Sequence, residues 1–432
     1  MLKRITVIVI ILALLTSLAA CGGSATTTTN TTTQAPGSTT VTSSANTTPG
    51  ASSATTAAPL SESYKIGAFL QLTGGNSAYG IEARNAVQLG IDHVNANGGF
   101  NGAKVELIAY DTAGSPEEAV KIVTKLLTVD KVDSIIGSVN SSEVLAAAGF
   151  ANDAKVLTFG LGTSATWMQK DWPYVFRATM NNGFAAPITA DIVKKVGTKS
   201  IAIFKGQDDA SLSTAKTFAE ACKERGIEVL ADESYDVGET DYSAQITKMI
   251  NSKAEAMYIS VIGETGPIIV KQLRQKGYNG LIYDKESFMA SQIAIAGEEA
   301  SNYILFANPY VTYATVEDCD IPNMKSFLEL YKSKYNTMVK TDSAYRGWDT
   351  MMAMWEASKI AKSNESEAMR LAIPSIKGLA GLGGTLDYTK GNREGYQTFN
   401  GFILVNGKNV LIDKWLSGGG FEAYKTATGR SY

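Results

Sequence analysis

Histidine and cysteine are scarce in this 432-residue sequence, which contains one histidine and three cysteines. His93 falls near the C-terminal end of a predicted surface helix, so no histidine is placed for a Ser-His-Asp triad or a His-metal site. We also find no activated nucleophile and no P-loop. The sequence therefore predicts a protein that is not an enzyme and that needs no cofactor or metal.

Clusters of basic residues are also lacking. The 39 Lys and Arg residues are outnumbered by 42 Asp and Glu residues, which gives a formal net charge of −3. Without a basic stretch or an arginine-rich helix, we expect no binding to nucleic acid. Besides Cys21, only Cys222 and Cys319 remain. One pair is not a disulfide framework, and we expect both thiols to be free.

The N-terminus has the features of a secretory signal. Lys3 and Arg4 precede an apolar run over 5–15, and Leu-Ala-Ala-Cys follows at 18–21. This pattern resembles the bacterial lipobox, and we predict a signal peptide over 1–20 and lipidation of Cys21. The alternative is a transmembrane anchor, but the apolar run is shorter than the roughly 20 residues that a spanning helix needs.

Residues 22–61 consist almost entirely of Thr, Ser, Ala, Gly, Pro and Asn. A segment of this composition has no apolar period with which to build a core. We predict that 21–62 is a tether, and about 40 residues of flexible chain span ~35 Å. Such a tether would lift a domain away from a membrane surface.

From residue 63 onward, predicted strands alternate with predicted helices. This alternation is typical of βαβ units with parallel sheets. The pattern restarts after 174–182, which indicates a second lobe of the same class, and it breaks near Pro309, where two longer helices are predicted. Two lobes joined by several crossing segments leave a cleft that can close on a ligand.

The stretch 132–164 contains two neighbouring predicted strands that each end in a turn of glycines and hydroxyl residues. Ser141 and Ser142 would lie at the N-terminus of the intervening helix, where free N–H groups favour an anion. The second turn, Gly-Leu-Gly-Thr-Ser at 160–164, would lie beside the first. The stretch predicts a site for a small carboxylate, although such turns are common in any α/β fold.

Several motifs, taken in their order along the chain, resemble those of one protein family. They are KIGAFLQLTGGNSAYG, HVNANGGFNG, KVELIAYDTAGSPEEAV, IIGSVNSS, VLTFGLGTS, YVFRAT and LDYTKGNREG. Together they are similar to the type I periplasmic binding proteins of branched-chain amino-acid ABC transporters. The resemblance implies an α/β fold of two Rossmann-like lobes with parallel sheets, joined by three hinge strands. We assign 63–181 and 309–398 to the first lobe, and 182–308 and 399–432 to the second.

The resemblance also implies a function. The protein would capture a small amino-acid-like ligand and deliver it to an ABC permease from the outer face of the cell membrane, in a Gram-positive cell or, if Gram-negative, in the periplasm. The alternatives are a binder of an amide, urea or aromatic carboxylate on the same fold, and a sensor subunit that presents its ligand to a receptor.

Six residues match ligand-binding positions of that family. Ser141 would bind the ligand carboxylate, Gly162 and Ser164 would contact both carboxylate and ammonium, and Glu286 would pair with the ammonium. Tyr79 and Tyr345 would line the cleft. The alternatives are that Glu286 is a solvated surface group and that the two tyrosines are ordinary packing residues.

The second lobe departs from the family pattern. Ala210 stands where relatives often have an aromatic residue, and Val261 and Ile262 follow another strand at which relatives also offer one. We therefore expect a roomier or differently shaped side-chain site, which would suit a larger and even aromatic ligand. The glycine-rich stretch 378–384 lacks the Lys-Ser/Thr of a phosphate loop, and we predict a turn there.

Overall fold

A computed structural model describes residues 63–236, 239–286, 288–311 and 313–430. The predicted signal peptide, the predicted tether and Cys21 lie outside the described residues. Among the residues that are described, no helix combines the length and the apolar character needed to cross a bilayer.

The first sheet consists of five parallel strands in the order β2-β1-β3-β4-β5. Their bounds are β1 Ser63–Leu70, β2 Lys104–Asp111, β3 Ser134–Gly137, β4 Leu157–Phe159 and β5 Val175–Phe176. β1, β3 and β4 are almost wholly buried. This burial on both faces explains their continuous apolar sequences, which are typical of parallel sheets.

Three helices connect the strands of the first sheet: α1 Ser77–Ala96, α2 Pro116–Lys125 and α3 Ser141–Asp153. The start of α2 is capped, since the Ser115 side chain accepts a hydrogen bond from the Glu118 N–H and proline occupies the first turn. A π-helical turn over Leu126–Asp130 continues α2.

The second sheet has seven strands in the order β14-β13-β10-β9-β8-β6-β7. Their bounds are β6 Ser200–Gly206, β7 Glu228–Tyr235, β8 Ala256–Ser260, β9 Ile282–Asp284, β10 Ile304–Asn308, β13 Asn400–Val405 and β14 Lys408–Leu411. The first five are parallel, whereas β13 and β14 are antiparallel additions at one edge. Asn406 and Gly407, both with positive φ, form the tight turn that joins them.

The helices of the second lobe are α4 Asn182–Val196, α5 Asp209–Glu224, α6 Ser243–Asn251, α7 Thr265–Gln275, α8 Ala290–Ala296, α12 Ile412–Ser417 and α13 Gly420–Thr428. No periodic pattern in the sequence predicts α8, β10, α12 or α13. α8, α12 and α13 have nine residues or fewer, which gives little room for a 3.6-residue period to show.

After β10 the chain returns to the first lobe. There it forms α9 Pro322–Tyr335, α10 Ser343–Ala361, α11 Ser366–Ala372 and the hairpin of β11 Leu379–Gly381 and β12 Gly384–Leu386. Ile66 of β1, Phe327 of α9 and Met354 of α10 belong to one buried cluster. The hairpin agrees with the turn predicted over 378–384. The two-lobed α/β fold is confirmed, and the lobe limits given above stay a prediction.

The two cysteines of the described chain lie in different cores. Cys222 packs in the second lobe and Cys319 in the first, and both are buried and free, as predicted.

Asp349 of α10 joins two segments that cross between the lobes. Its buried carboxylate accepts hydrogen bonds from the Leu382 N–H at 2.9 Å, the Tyr396 hydroxyl at 2.5 Å and the Tyr310 hydroxyl at 3.3 Å. Tyr310 follows β10 and Tyr396 precedes β13. Burial raises the pKa of Asp349 to about 7.

We predict that Asp349→Asn flattens the pH dependence of stability. A folded-state pKa above the unfolded value of about 3.9 means that the folded chain holds this proton more tightly. Asp349 therefore weakens the fold as pH rises from about 4 to about 7. Urea unfolding should show that the free energy of unfolding falls less between pH 4.5 and 7.5 for the variant than for the wild type, by on the order of 1–3 kcal/mol. The exposed Asp153→Asn is the control, and parallel curves for Asp349→Asn and the wild type would contradict the assignment.

Candidate ligand-binding site

A cavity lies where the carboxyl ends of both sheets face each other. The first lobe contributes the loop after β1, the turns after β3 and β4, and α10, while the second contributes the loops after β6, β8 and β9. Its free volume is about 30 Å³. The lining residues are Asn76, Tyr79, Val139, Asn140, Ser141, Ser142, Thr163, Asp208, Ala210, Ile262, Gly263, Glu286 and Arg346.

The N-terminus of α3 opens into this cavity. Asn140 precedes the helix but its side chain does not cap it. The Asn140 amide instead donates to Gln71 Oε1 at 2.7 Å and to Glu143 Oε1 at 2.8 Å. The first N–H groups of α3 therefore remain directed to the side where Ser141 and Ser142 line the cavity. Asn140 lies inside the motif IIGSVNSS, but nothing in that motif predicts Asn140 as a site residue.

The turn after β4 packs directly on α3. The Ser164 N–H donates to Ser141 Oγ at 3.1 Å. A Cβ atom at Gly162 would lie 2.6 Å from the same oxygen, so only glycine fits there. The structure thus brings Ser141, Gly162 and Ser164 together, but Thr163 is the member of the turn that lines the cavity.

Arg177 stabilises the turn over 160–164. Its buried guanidinium donates to the carbonyl of Gly162 at 3.2 Å and to that of Ser164 at 2.7 Å, and it pairs with Glu394 at 3.1 Å. The Asn181 amide donates to both oxygens of Glu394. The Gly162 carbonyl, which the resemblance assigns to the ligand, therefore already accepts a hydrogen bond within the protein.

Glu286 reaches the cavity from the loop after β9. Its Oε1 accepts hydrogen bonds from the Thr163 hydroxyl at 2.9 Å and the Lys285 ammonium at 2.7 Å. Asn182 donates to the same oxygen at 3.2 Å, and Arg346 Nη2 lies 3.4 Å from Oε2. Glu286 is thus a group of the second lobe in contact with the first, and it is not a solvated surface residue.

Two cations set the charge of Glu286. Burial alone would raise its pKa, but Lys285 and Arg346 outweigh burial and lower that pKa to about 2. Glu286 is therefore anionic at neutral pH. Arg346 also pairs with buried Asp342 at 2.5 Å, where burial raises the pKa of Asp342 despite the opposing effect of Arg346. No motif in the sequence marks Lys285 or Arg346 as a site residue.

The two predicted tyrosines lie in different places. Tyr79 lines the cavity. Tyr345 is fully buried in the first-lobe core, with its ring 5.5 Å from that of Tyr310 and 5.8 Å from that of Phe327. The packing alternative therefore describes Tyr345. The next residue, Arg346, lies one helical step around α10 and lines the cavity in its place.

Ala210 and Ile262 lie where relatives often have aromatic residues, and both line the cavity from the second lobe. The small free volume does not match the roomier site that we expected from the lost aromatic residues. Direct contacts between the lobes take up the space. Ser164 Oγ lies 3.0 Å from Ser213 Oγ, and the Asn76 side chain approaches Gly263 so closely that a Cβ there would clash at 1.7 Å.

Comparisons with known proteins agree with this architecture. The model of a family described as periplasmic binding protein matches residues 63–408. The Leu/Ile/Val-binding protein homolog 3 of Brucella melitensis is 24% identical over 351 residues, which cover 81% of this chain and 93% of that protein.

Two solved structures have the same fold. The leucine binding protein LivK of Thermotoga maritima has a TM-score of 0.71 at 27% identity, with 81% of this chain and 97% of that chain covered. The substrate binding protein LivJ of Streptococcus pneumoniae, in complex with isoleucine, has a TM-score of 0.70 at 25% identity, with 81% and 98% covered. The members of this family are solute-binding proteins and not enzymes. The chain belongs to the periplasmic binding protein family.

Proposed function

We propose that this protein captures an amino acid or a closely related carboxylate between its lobes and delivers it to an ABC permease. One observation carries the proposal. The uncapped N-terminus of α3 and the carboxylate of Glu286, which suit opposite charges, line the same cavity from different lobes. An α-amino acid carries a carboxylate and an ammonium on adjacent atoms, and so it matches this pair.

The anion-binding side is built entirely by the first lobe. The N–H groups at the start of α3 and the hydroxyls of Ser141 and Ser142 supply hydrogen-bond donors there. Donors at a helix N-terminus favour a carboxylate through both hydrogen bonding and the helix dipole. Ser141 accepts from Ser164, which leaves its own hydroxyl proton to donate.

The cation-binding side depends on Glu286. A carboxylate that stays ionised inside a closed cleft forms charge-assisted hydrogen bonds with an ammonium. Lys285 and Arg346 already offset part of its charge. An arriving ammonium must therefore compete with these two groups for the Glu286 oxygens. The names of the relatives, which describe leucine, isoleucine and valine binding, support an amino acid as the ligand.

Contacts across the cleft support capture by closure. Ser164 and Thr163 of the first lobe contact Ser213 and Glu286 of the second. A ligand that touches groups of both lobes binds the closed form better than the open one, and so it shifts the population toward closure. The closed surface would then be the one that a permease recognises.

We predict that Glu286→Gln weakens amino-acid binding at least roughly tenfold, because a charge-assisted hydrogen bond to the ammonium becomes a neutral one. Isothermal titration calorimetry with the amino acid that gives the largest thermal shift measures this loss. Glu299→Gln, an exposed change in the same lobe, is the matched control. Undiminished affinity in Glu286→Gln would exclude Glu286 as the ammonium acceptor.

We predict that Gly162→Ala abolishes measurable binding while the fold survives. The added methyl group would lie 2.6 Å from Ser141 Oγ and would displace the turn from α3. Calorimetry should show no heat of binding, and circular dichroism should show a folded protein. Gly75→Ala places its methyl group in open space and should bind as the wild type does. Wild-type affinity in Gly162→Ala would show that the packing of this turn is not needed.

We predict that Cys21→Ser releases the protein from cells and lowers ligand uptake, because the lipid anchor would be lost. Fractionation should find the variant in the medium or the soluble periplasm, while binding by the purified variant is unchanged. Ser24→Ala, just beyond the predicted cleavage site, should leave the protein with the membrane. Membrane retention of Cys21→Ser would refute lipidation at Cys21, and unchanged uptake in a deletion strain would refute the transport role.

A further inference from the structure

Arg346 is a charged lining residue that is not among the ligand contacts proposed above. Its side chain is buried, with 2% of the residue exposed, and it lines the cavity from α10. Nη2 bonds to Asp342 at 2.5 Å and to Glu286 at 3.4 Å, and Nη1 bonds to the Leu161 carbonyl at 3.4 Å. Within the described part of the chain, Nε has no hydrogen-bond partner.

A buried guanidinium with an open donor points to a missing acceptor. Arginine presents five N–H groups in a rigid planar fork, which suits a planar oxygen acceptor. Leaving a buried donor without a partner is unfavourable, and native proteins seldom do so. Asp342 and Glu286 both bond to Nη2, which leaves Nε without an acceptor.

The rest of the lining also disfavours an aliphatic ligand side chain. Polar groups of Asn76, Asn140 and Asp208 share the cavity with Arg346, whereas its aliphatic groups come from Val139, Ala210 and Ile262. A leucine side chain in this place would put hydrocarbon against the unpaired Nε–H of Arg346. A side chain with a carbonyl oxygen would accept a hydrogen bond from it.

We propose that Arg346 determines specificity by donating hydrogen bonds to a planar oxygen acceptor on the ligand side chain. This acceptor is the oxygen of a carboxamide or of a carboxylate. The inference rests on the proposed function and narrows its substrate class to amino acids with acyl side chains, in contrast to the aliphatic ligands of the named relatives. Arg346 acts here as a binding residue, and its pairing with Asp342 fixes the fork in place.

Ligands of nearly equal shape test this directly. Leucine, asparagine and aspartate form one set, and methionine, glutamine and glutamate form a longer one. Calorimetry on the detergent-solubilised full-length chain should give roughly 10- to 100-fold tighter binding for an acyl ligand than for the aliphatic or thioether member of its set. The comparison of amide with acid inside each set identifies the acceptor.

Two variants connect the preference to Arg346. Arg346→Lys keeps the charge but loses the planar fork of N–H donors. It should reduce the ratio of acyl-ligand affinity to aliphatic-ligand affinity about tenfold. The double change Arg346→Gln with Asp342→Asn removes both charges of the buried pair together, and it should abolish the preference while the protein still melts cooperatively. Arg370→Gln, which breaks an exposed pair on α11, should bind as the wild type does.

Each contrary result has a distinct meaning. Tighter binding of leucine or methionine, or an unchanged ratio in Arg346→Lys, would overturn this inference and leave the proposed function standing. Failure of every amino acid in the panel to bind would overturn both.

Discussion

The closed cleft depends on the compensation of buried charge around Glu286. A carboxylate at this depth without partners would cost several kcal/mol. Its partners come from both sides, since Lys285 belongs to its own lobe and Arg346 and Thr163 to the other. The full set of contacts therefore exists only when the lobes are together. In the proposed function, closure of the lobes and compensation of the Glu286 charge would occur together, which would couple ligand specificity to movement of the lobes.

The first lobe, in contrast, has its part of the site already in place. The turn over 160–164 is held on one side by Ser141 and on the other by the guanidinium of Arg177, whose charge is met by Glu394. None of these contacts involves the second lobe. A rigid anion-binding turn keeps its donors in position in the open form, so that less entropy is lost when a carboxylate binds. The second lobe then adds charge and closes the wall.

The sequence predicted those features that depend on local pattern or on strand order. The alternation of predicted strands and helices corresponds to the two sheets, and Ser141 lies beside Gly162 because β3 and β4 are parallel neighbours. The rotation of α10 about its own axis could not be predicted in this way. Most of its residues from Ser343 to Asp349 are buried on every face, so no apolar stripe fixes which of Tyr345 and Arg346 points to the core. The contact of Arg346 with Glu286 joins residues 60 positions apart in different lobes, and no local pattern encodes it.

Several of the contacts between the lobes are polar. Ser164 with Ser213 and Thr163 with Glu286 are hydrogen bonds, and such bonds contribute only about 0.5–1.5 kcal/mol each, or somewhat more when one partner is charged. Closure also removes water from Glu286 and orders the side chains at the cleft, which opposes these gains. These terms have opposite signs and partly cancel. A ligand that contributes a few kcal/mol of contacts present only in the closed form can therefore decide which form is populated. In the proposed function, selectivity would depend on the fit of the ligand to Glu286, Arg346 and the N-terminus of α3 when the lobes close, and not on the apolar volume of the cavity.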